Sequence, residues 1–250
     1  MFITSKLAPG EHGEERVYEA CIESLERLRV SYLDLYLMHW PGVKGWAVDD
    51  PSQREMRLGR WRAFQVRLSL AHEVLSFDFF LLLHLRQVVL FTMGTPWQRL
   101  YREGKCRAIG VSNFTPAHLT ELIESADCEE VPHVNQFELH PFLQQRPIID
   151  ACKDHGIVVQ AYSPLARADP RAMEHPVVQR VCTTHGCTPA QALLAWGLAR
   201  GFVVLPKSIT PARVEENAEA IMMTLSEEEV AEMDGLECDL RQAWNPWPVA

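Results

Sequence analysis

Positive charge is scarce in this sequence: 24 Lys and Arg against 33 Asp and Glu leave a net charge of −9 over 250 residues. That balance argues against broad electrostatic capture of nucleic acid or of an anionic bilayer, so any bound anion must meet a local basic site. CxxC spacing is absent as well. The seven cysteines (Cys21, Cys106, Cys128, Cys152, Cys182, Cys187 and Cys238) are odd in number and scattered, which suits a reducing compartment better than a disulfide scaffold or zinc site and leads us to expect free thiols in a cytoplasmic protein. The opening Met1-Phe2-Ile3-Thr4-Ser5-Lys6 has none of the basic, apolar and small-residue regions of a secretory signal. The one long apolar run, Phe77 to Phe91, is short for a bilayer span and contains Asp78, His84 and Arg86. His133 and His140 flank Gln136 at a separation wrong for one strand face, and no carboxylate and cysteine set completes a site, so no metal is expected.

What is present suits a folded α/β protein. At 47% hydrophobic and 23% charged the chain can bury a core, and its length fits a single domain over residues 1–250. Short β-branched or aromatic runs alternate with amphipathic stretches, the pattern of βα units on a parallel sheet. The runs predict six strands: Phe2 to Ser5, Tyr32 to Met38, Ala108 to Val111, His133 to Glu138, Val158 to Tyr162 and Phe202 to Leu205. Helices are predicted over Glu14 to Leu28, Pro116 to Ser125, Arg146 to His155, Pro189 to Arg200 and Pro211 to Ala220. Thr115-Pro116, Thr188-Pro189 and Thr210-Pro211 each place a hydroxyl N-cap before a first-turn proline, and Ser226 with Glu229 forms a capping box. Residues 66–93 break this rhythm: they lack either period and divide what otherwise reads as one continuous helix, so they are expected to be a non-native or splice-derived insert.

Three strand ends carry small polar or aromatic groups: Gly110-Val111-Ser112-Asn113-Phe114, Val134-Asn135-Gln136-Phe137-Glu138 and Gln160-Ala161-Tyr162-Ser163-Pro164-Leu165. Parallel barrels present their active-site groups at such ends. The stretch Val204 to Arg213 carries the last strand into a helix with Lys207, Ser208, Thr210 and Arg213 around the turn. Helix N-terminal amides plus two cations make a phosphate site, the local basic patch that the acidic total requires. Taken singly, these residues have plainer readings. His39 reads as a core histidine, Tyr162 as barrel packing, Lys6 as a solvent-facing strand end, and Lys207 and Arg213 as solvated surface charge.

In combination, Leu35-Tyr36-Leu37-Met38-His39-Trp40-Pro41, Gly110-Val111-Ser112-Asn113-Phe114 and Pro206-Lys207-Ser208 are highly specific, and the chain outside residues 66–93 resembles the aldo-keto reductase family. The resemblance implies an α/β fold, a (β/α)8 TIM barrel of which six of eight strands are here, with NADP(H) across the C-terminal strand ends. It implies a small-molecule aldehyde or ketone as substrate, reduced by hydride transfer, in a monomer with no nucleic-acid or membrane partner. By match to the family, Lys6 is the tetrad lysine and His39 the histidine that orients the substrate carbonyl. Ser112, Asn113 and Gln136 correspond to the residues that bind the nicotinamide carboxamide, and Tyr162 to the ring that stacks on it. Ser163 and Leu165 line the pyrophosphate, Lys207, Ser208, Thr210 and Arg213 grip the adenosine 2′-phosphate, and Glu216 with Asn217 holds the adenine. The tetrad Asp and Tyr have no counterpart, since Tyr18 and Asp34 stand elsewhere in the pattern. Impaired reduction is therefore expected, with a non-catalytic NADP(H)-binding protein or a nonfunctional splice or gene-model fragment as the alternatives.

Overall fold

The computed structural model describes residues 1–11, 14–65, 105–126, 128 and 130–250. The expected insert at 66–93 lies outside the described residues. The described residues group into two compact units, Met1–His133 with Pro246–Ala250, and Val134–Asn245.

In the first unit, β1 (Thr4–Leu7), β2 (Leu33–Met38) and β3 (Cys106–Ser112) alternate with α1 (Glu14–Leu28), α2 (Ser52–Gln65) and α3 (Pro116–Ile123). β2 runs parallel to both neighbours, with Lys6 opposite Leu37 and Leu37 opposite Gly110. All six residues of β2 are buried, as expected for a parallel strand covered on both faces. The first strand forms two residues later than its aromatic signal implies. Phe2 is exposed, and the N–H of Ile3 is taken at 2.8 Å by the Asp34 carboxylate, so pairing with β2 sets the register. On α2, Arg57 and Arg60 are buried and hydrogen-bonded, and Arg57 is also paired with a carboxylate. Arg57 grips Glu121 at 2.8 and 2.9 Å and donates to the Pro41 carbonyl, and Arg60 donates to the carbonyls of Gly42 and Pro9. Buried cations without such partners would be strongly destabilising.

The second unit holds β4 (Val134–Glu138), α4 (Arg146–Asp154), β5 (Val158–Tyr162), α5 (Pro170–Met173), α6 (Pro176–His185), α7 (Pro189–Ala199), β6 (Val203–Leu205), α8 (Pro211–Glu219) and α9 (Glu227–Asp234). β5 runs parallel to β4 and to β6. α7 is apolar around most of its circumference and correspondingly buried from Gln191 to Gly197. Its Trp196 indole N–H donates to Asp234 at 2.9 Å.

The expected caps form at Thr115, Thr188 and Ser226, each a reciprocal box closed by His118, Gln191 and Glu229. The exception is Thr210: it occupies the N-cap of α8, but its side chain makes no capping bond. Instead the Ser208 hydroxyl accepts the Thr210 N–H at 3.1 Å. Two helices, α5 and α6, were not expected. Each begins with proline after a capping residue outside the Thr-Pro pattern, Asp169 and His175, whose side chains accept N–H bonds from Arg171 and Val177. No helix among the described residues is long and apolar enough to cross a membrane.

Candidate active site

In the first unit, the C-terminal strand ends gather Lys6, His39, Ser112 and Asn113. Lys6 is the next-to-last residue of β1, and burial lowers its pKa from 10.5 to about 8. His39 follows β2 immediately, and its N–H donates to the Leu7 carbonyl at 3.2 Å. Burial first, then the nearby Lys6 charge, hold the His39 pKa below its ordinary value, which keeps the imidazole neutral near pH 7. Ser112 ends β3 fully buried. Asn113 adopts a left-handed backbone, φ 65°, a conformation asparagine tolerates better than most residues. Its side-chain amide donates to the His39 carbonyl at 3.1 Å and lies 3.1 Å from the Ser112 hydroxyl.

In the second unit, Gln136 is buried on β4 and its amide donates to Gln160 on β5. Tyr162 ends β5 half-buried, and burial pushes its phenol pKa upward. Beyond these ends lies a cavity of about 590 Å³ lined on one side by Ser163, Pro164 and Leu165 and on another by Lys207, Ser208 and Arg213. Glu216 and Asn217 complete that wall from α8. The Glu216 carboxylate is oriented by the Thr188 hydroxyl, which donates to it at 2.7 Å.

Of the expected site residues in this unit, Gln136, Tyr162 and Thr210 are outside the cavity lining. Conversely, Arg167, Met173 and Ala190 line the cavity without having been singled out from the sequence. Asp34, which does not stand at the position of the missing tetrad aspartate, receives the Ile3 N–H and lies 3.4 Å from Arg107. Its role there is structural. Among the described residues, no three His, Cys, Asp or Glu side chains are grouped to hold a metal.

Comparison with known proteins places these elements. The model of the Aldo/keto reductase family matches residues 1–237. Glyoxal reductase of Bacillus subtilis is 35% identical over 246 residues, which are 98% of this chain and 72% of that protein. Glycerol 2-dehydrogenase (NADP(+)) of Saccharomyces cerevisiae is 33% identical over 255 residues, 100% of this chain and 75% of the relative. Among solved structures, a variant of Gox0644 in complex with NADPH matches with a TM-score of 0.75 and 28% identity, covering 98% of this chain and 74% of its own. The six parallel strands thus match part of the family's barrel, and the chain is a member of the aldo/keto reductase family.

Proposed function

We propose that this chain binds NADP(H) and derives from reductases that convert aldehydes or ketones to alcohols, with its own turnover impaired. The cavity beside α8 carries this reading, because it sets Lys207 and Arg213 at the start of a helix. Two cations beside helix N-terminal amides suit the 2′-phosphate that distinguishes NADP(H) from NAD(H). Ser208 and Thr210 complete this grip in our reading, with Glu216 and Asn217 at the adenine and Ser163 and Leu165 at the pyrophosphate. The yeast relative's name carries NADP(+), and the Gox0644 structure contains NADPH.

When bound, NADPH supplies the hydride. The chain's own residues do the rest: Ser112, Asn113 and Gln136 hold the carboxamide, and Tyr162 covers one face of the ring. His39, neutral near pH 7, orients a small-molecule carbonyl by hydrogen bonding. Lys6 would lower the pKa of a proton-donating tyrosine, but no residue here matches that tyrosine or the aspartate that holds the lysine. Proton delivery to the carbonyl oxygen is therefore the impaired step. This missing donor favours a second reading, a non-catalytic NADP(H)-binding protein. The seven free thiols suit the cytosol, and a monomer is the state the family resemblance implies.

Titration with NADPH, followed by quenching of tryptophan fluorescence, tests the reading. Saturable binding is expected, weakened at least roughly tenfold when Lys207→Met and Arg213→Ala are combined. Undiminished binding by that double variant would overturn it. NADPH consumption with a reactive aldehyde is expected to be at trace level, and robust turnover by residues 1–250 would remove the impairment.

A further inference from the structure

The geometry points to Arg167 as a further cofactor-binding residue, supplying the cation for the pyrophosphate of NADP(H). The assignment rests on the NADP(H) reading above and adds a residue that no motif supplied.

Arg167 lines the same cavity as Lys207 and Arg213, and these three are the cations among its lining residues. Its positive charge also acts on the Tyr162 hydroxyl, together with that of Arg241. Arg167 therefore acts on the ring assigned to the nicotinamide and shares a cavity with the cations assigned to the 2′-phosphate, which suits a middle position. In an extended dinucleotide the pyrophosphate occupies that middle position.

The backbone around Arg167 is unusual. Ala166, Arg167 and Ala168 all have positive φ, at 46°, 52° and 59°, and none is glycine. Consecutive left-handed residues with a Cβ are sterically disfavoured, and such conformations persist where the surroundings over-determine them, often at ligand clamps. Here the surroundings are visible. The turn is closed by bonds from Ala166 N–H to Ser163 and from Ala168 N–H to Leu165, at 2.9 and 2.8 Å. Ala166 is fully buried. Asp169, next in the chain, anchors the turn by accepting from the Arg171 N–H and guanidinium and from the Gln242 amide. Arg171 is neutralised by this pairing, whereas Arg167 forms no ion pair among the described residues. A fixed turn thus holds an unneutralised guanidinium on the cavity wall, suited to fork-like contact with phosphate oxygens.

The test compares three ligands on the full chain: NADPH, NADH and adenosine 2′-monophosphate, which has the 2′-phosphate but no pyrophosphate. Arg167→Gln is expected to weaken NADPH and NADH by the same factor, roughly tenfold or more, and to leave adenosine 2′-monophosphate unchanged. Arg213→Ala is expected to weaken NADPH and adenosine 2′-monophosphate while sparing NADH. Arg167→Lys should recover part of the loss. Thermal unfolding of each variant controls for folding, and Arg167 is exposed, so its replacement leaves the core intact. Unchanged affinities in Arg167→Gln would show an ordinary solvated arginine and overturn the assignment. Weakened adenosine 2′-monophosphate would move Arg167 to the 2′-phosphate and also overturn it. Failure of the unsubstituted chain to bind NADPH would instead refute the NADP(H) reading itself.

Discussion

The Asn113 side-chain amide donates to the backbone carbonyl of His39 at 3.1 Å, tying the residue after β3 to the residue after β2. A residue assigned to the cofactor thereby holds the backbone of the one assigned to the substrate carbonyl. Asn113→Gly retains the left-handed backbone and loses the bond, so it should cost about 1 kcal/mol. Asn113→Asp places a buried carboxylate against a carbonyl oxygen. Such a group is easier to bury protonated, so its loss should exceed that of Asn113→Gly at pH 7 and shrink as pH falls toward 4. Urea unfolding of both variants at the two pH values measures this, and an aspartate variant as stable as the parent at pH 7 would rule the clamp out.

Lys6 should behave as an amine with a midpoint near 8, because burial lowers its pKa to about 8 from 10.5. Between those values the unfolded chain carries the proton and the folded chain does not. Stability from this group therefore rises with pH across that window. Lys6→Met should flatten the rise, and amine-reactive labelling followed by mass spectrometry should show Lys6 half-reactive near pH 8. A labelling midpoint above 10 would contradict the burial of this side chain.

His118 is buried between Thr115 and the Val249 carbonyl, which lies 2.9 Å from its Nε2. Burial and then the Arg57 charge lower its pKa from 6.5 to about 4, against the opposing bond to Val249. Unfolded histidine protonates near 6.5, so acid favours the unfolded chain from there down to about pH 4. Over that interval this one group should remove about 3 kcal/mol of stability. His118→Gln should flatten the acid side of the stability curve. If the variant and the parent lose stability in parallel between pH 6.5 and 4, His118 is not the source.

Glu138 holds the tail of the second unit. Its buried carboxylate accepts the N–H groups of Gln242 and Ala243, both at 2.9 Å. Burial pushes its pKa up, but His140 and those two N–H groups outweigh it and leave the value below the ordinary range. The stabilisation is thus present at neutral pH and lost as pH falls through this depressed value. Glu138→Gln replaces one acceptor with a donor facing N–H groups and should cost about 2 kcal/mol. Limited proteolysis should then cut near Gln242 sooner than in the parent. Equal cleavage rates would mean that the tail is held by something else.

Much of the fold was legible because its signals are local. Tyr32 to Met38 reads as a buried strand from apolar density alone, and it forms from Leu33 with every residue covered. Glu14 to Leu28 shows its helical spacing and forms over the same residues. Misreadings also have local causes. Phe2 looks like strand, yet the N–H groups that pair are chosen by Asp34 and the register with β2. α6 was hidden because histidine is an uncommon cap, although His175 fills that role through its ring nitrogen. Arg167 carried no signal at all, since Ala-Arg-Ala does not foretell three left-handed residues.

From its residues alone this chain specifies the order of strands and helices, most helix starts, and the polar groups that end each strand. Those properties depend on side chains within a few positions of one another. Tertiary structure decided that Asn113 reaches His39 across 74 residues, and that Glu138 holds Gln242 across 104. It also decided that Arg167 shares a cavity with Lys207 and Arg213. Such pairings form only once packing has closed the intervening chain and excluded water, and no local pattern encodes which distant partners will meet.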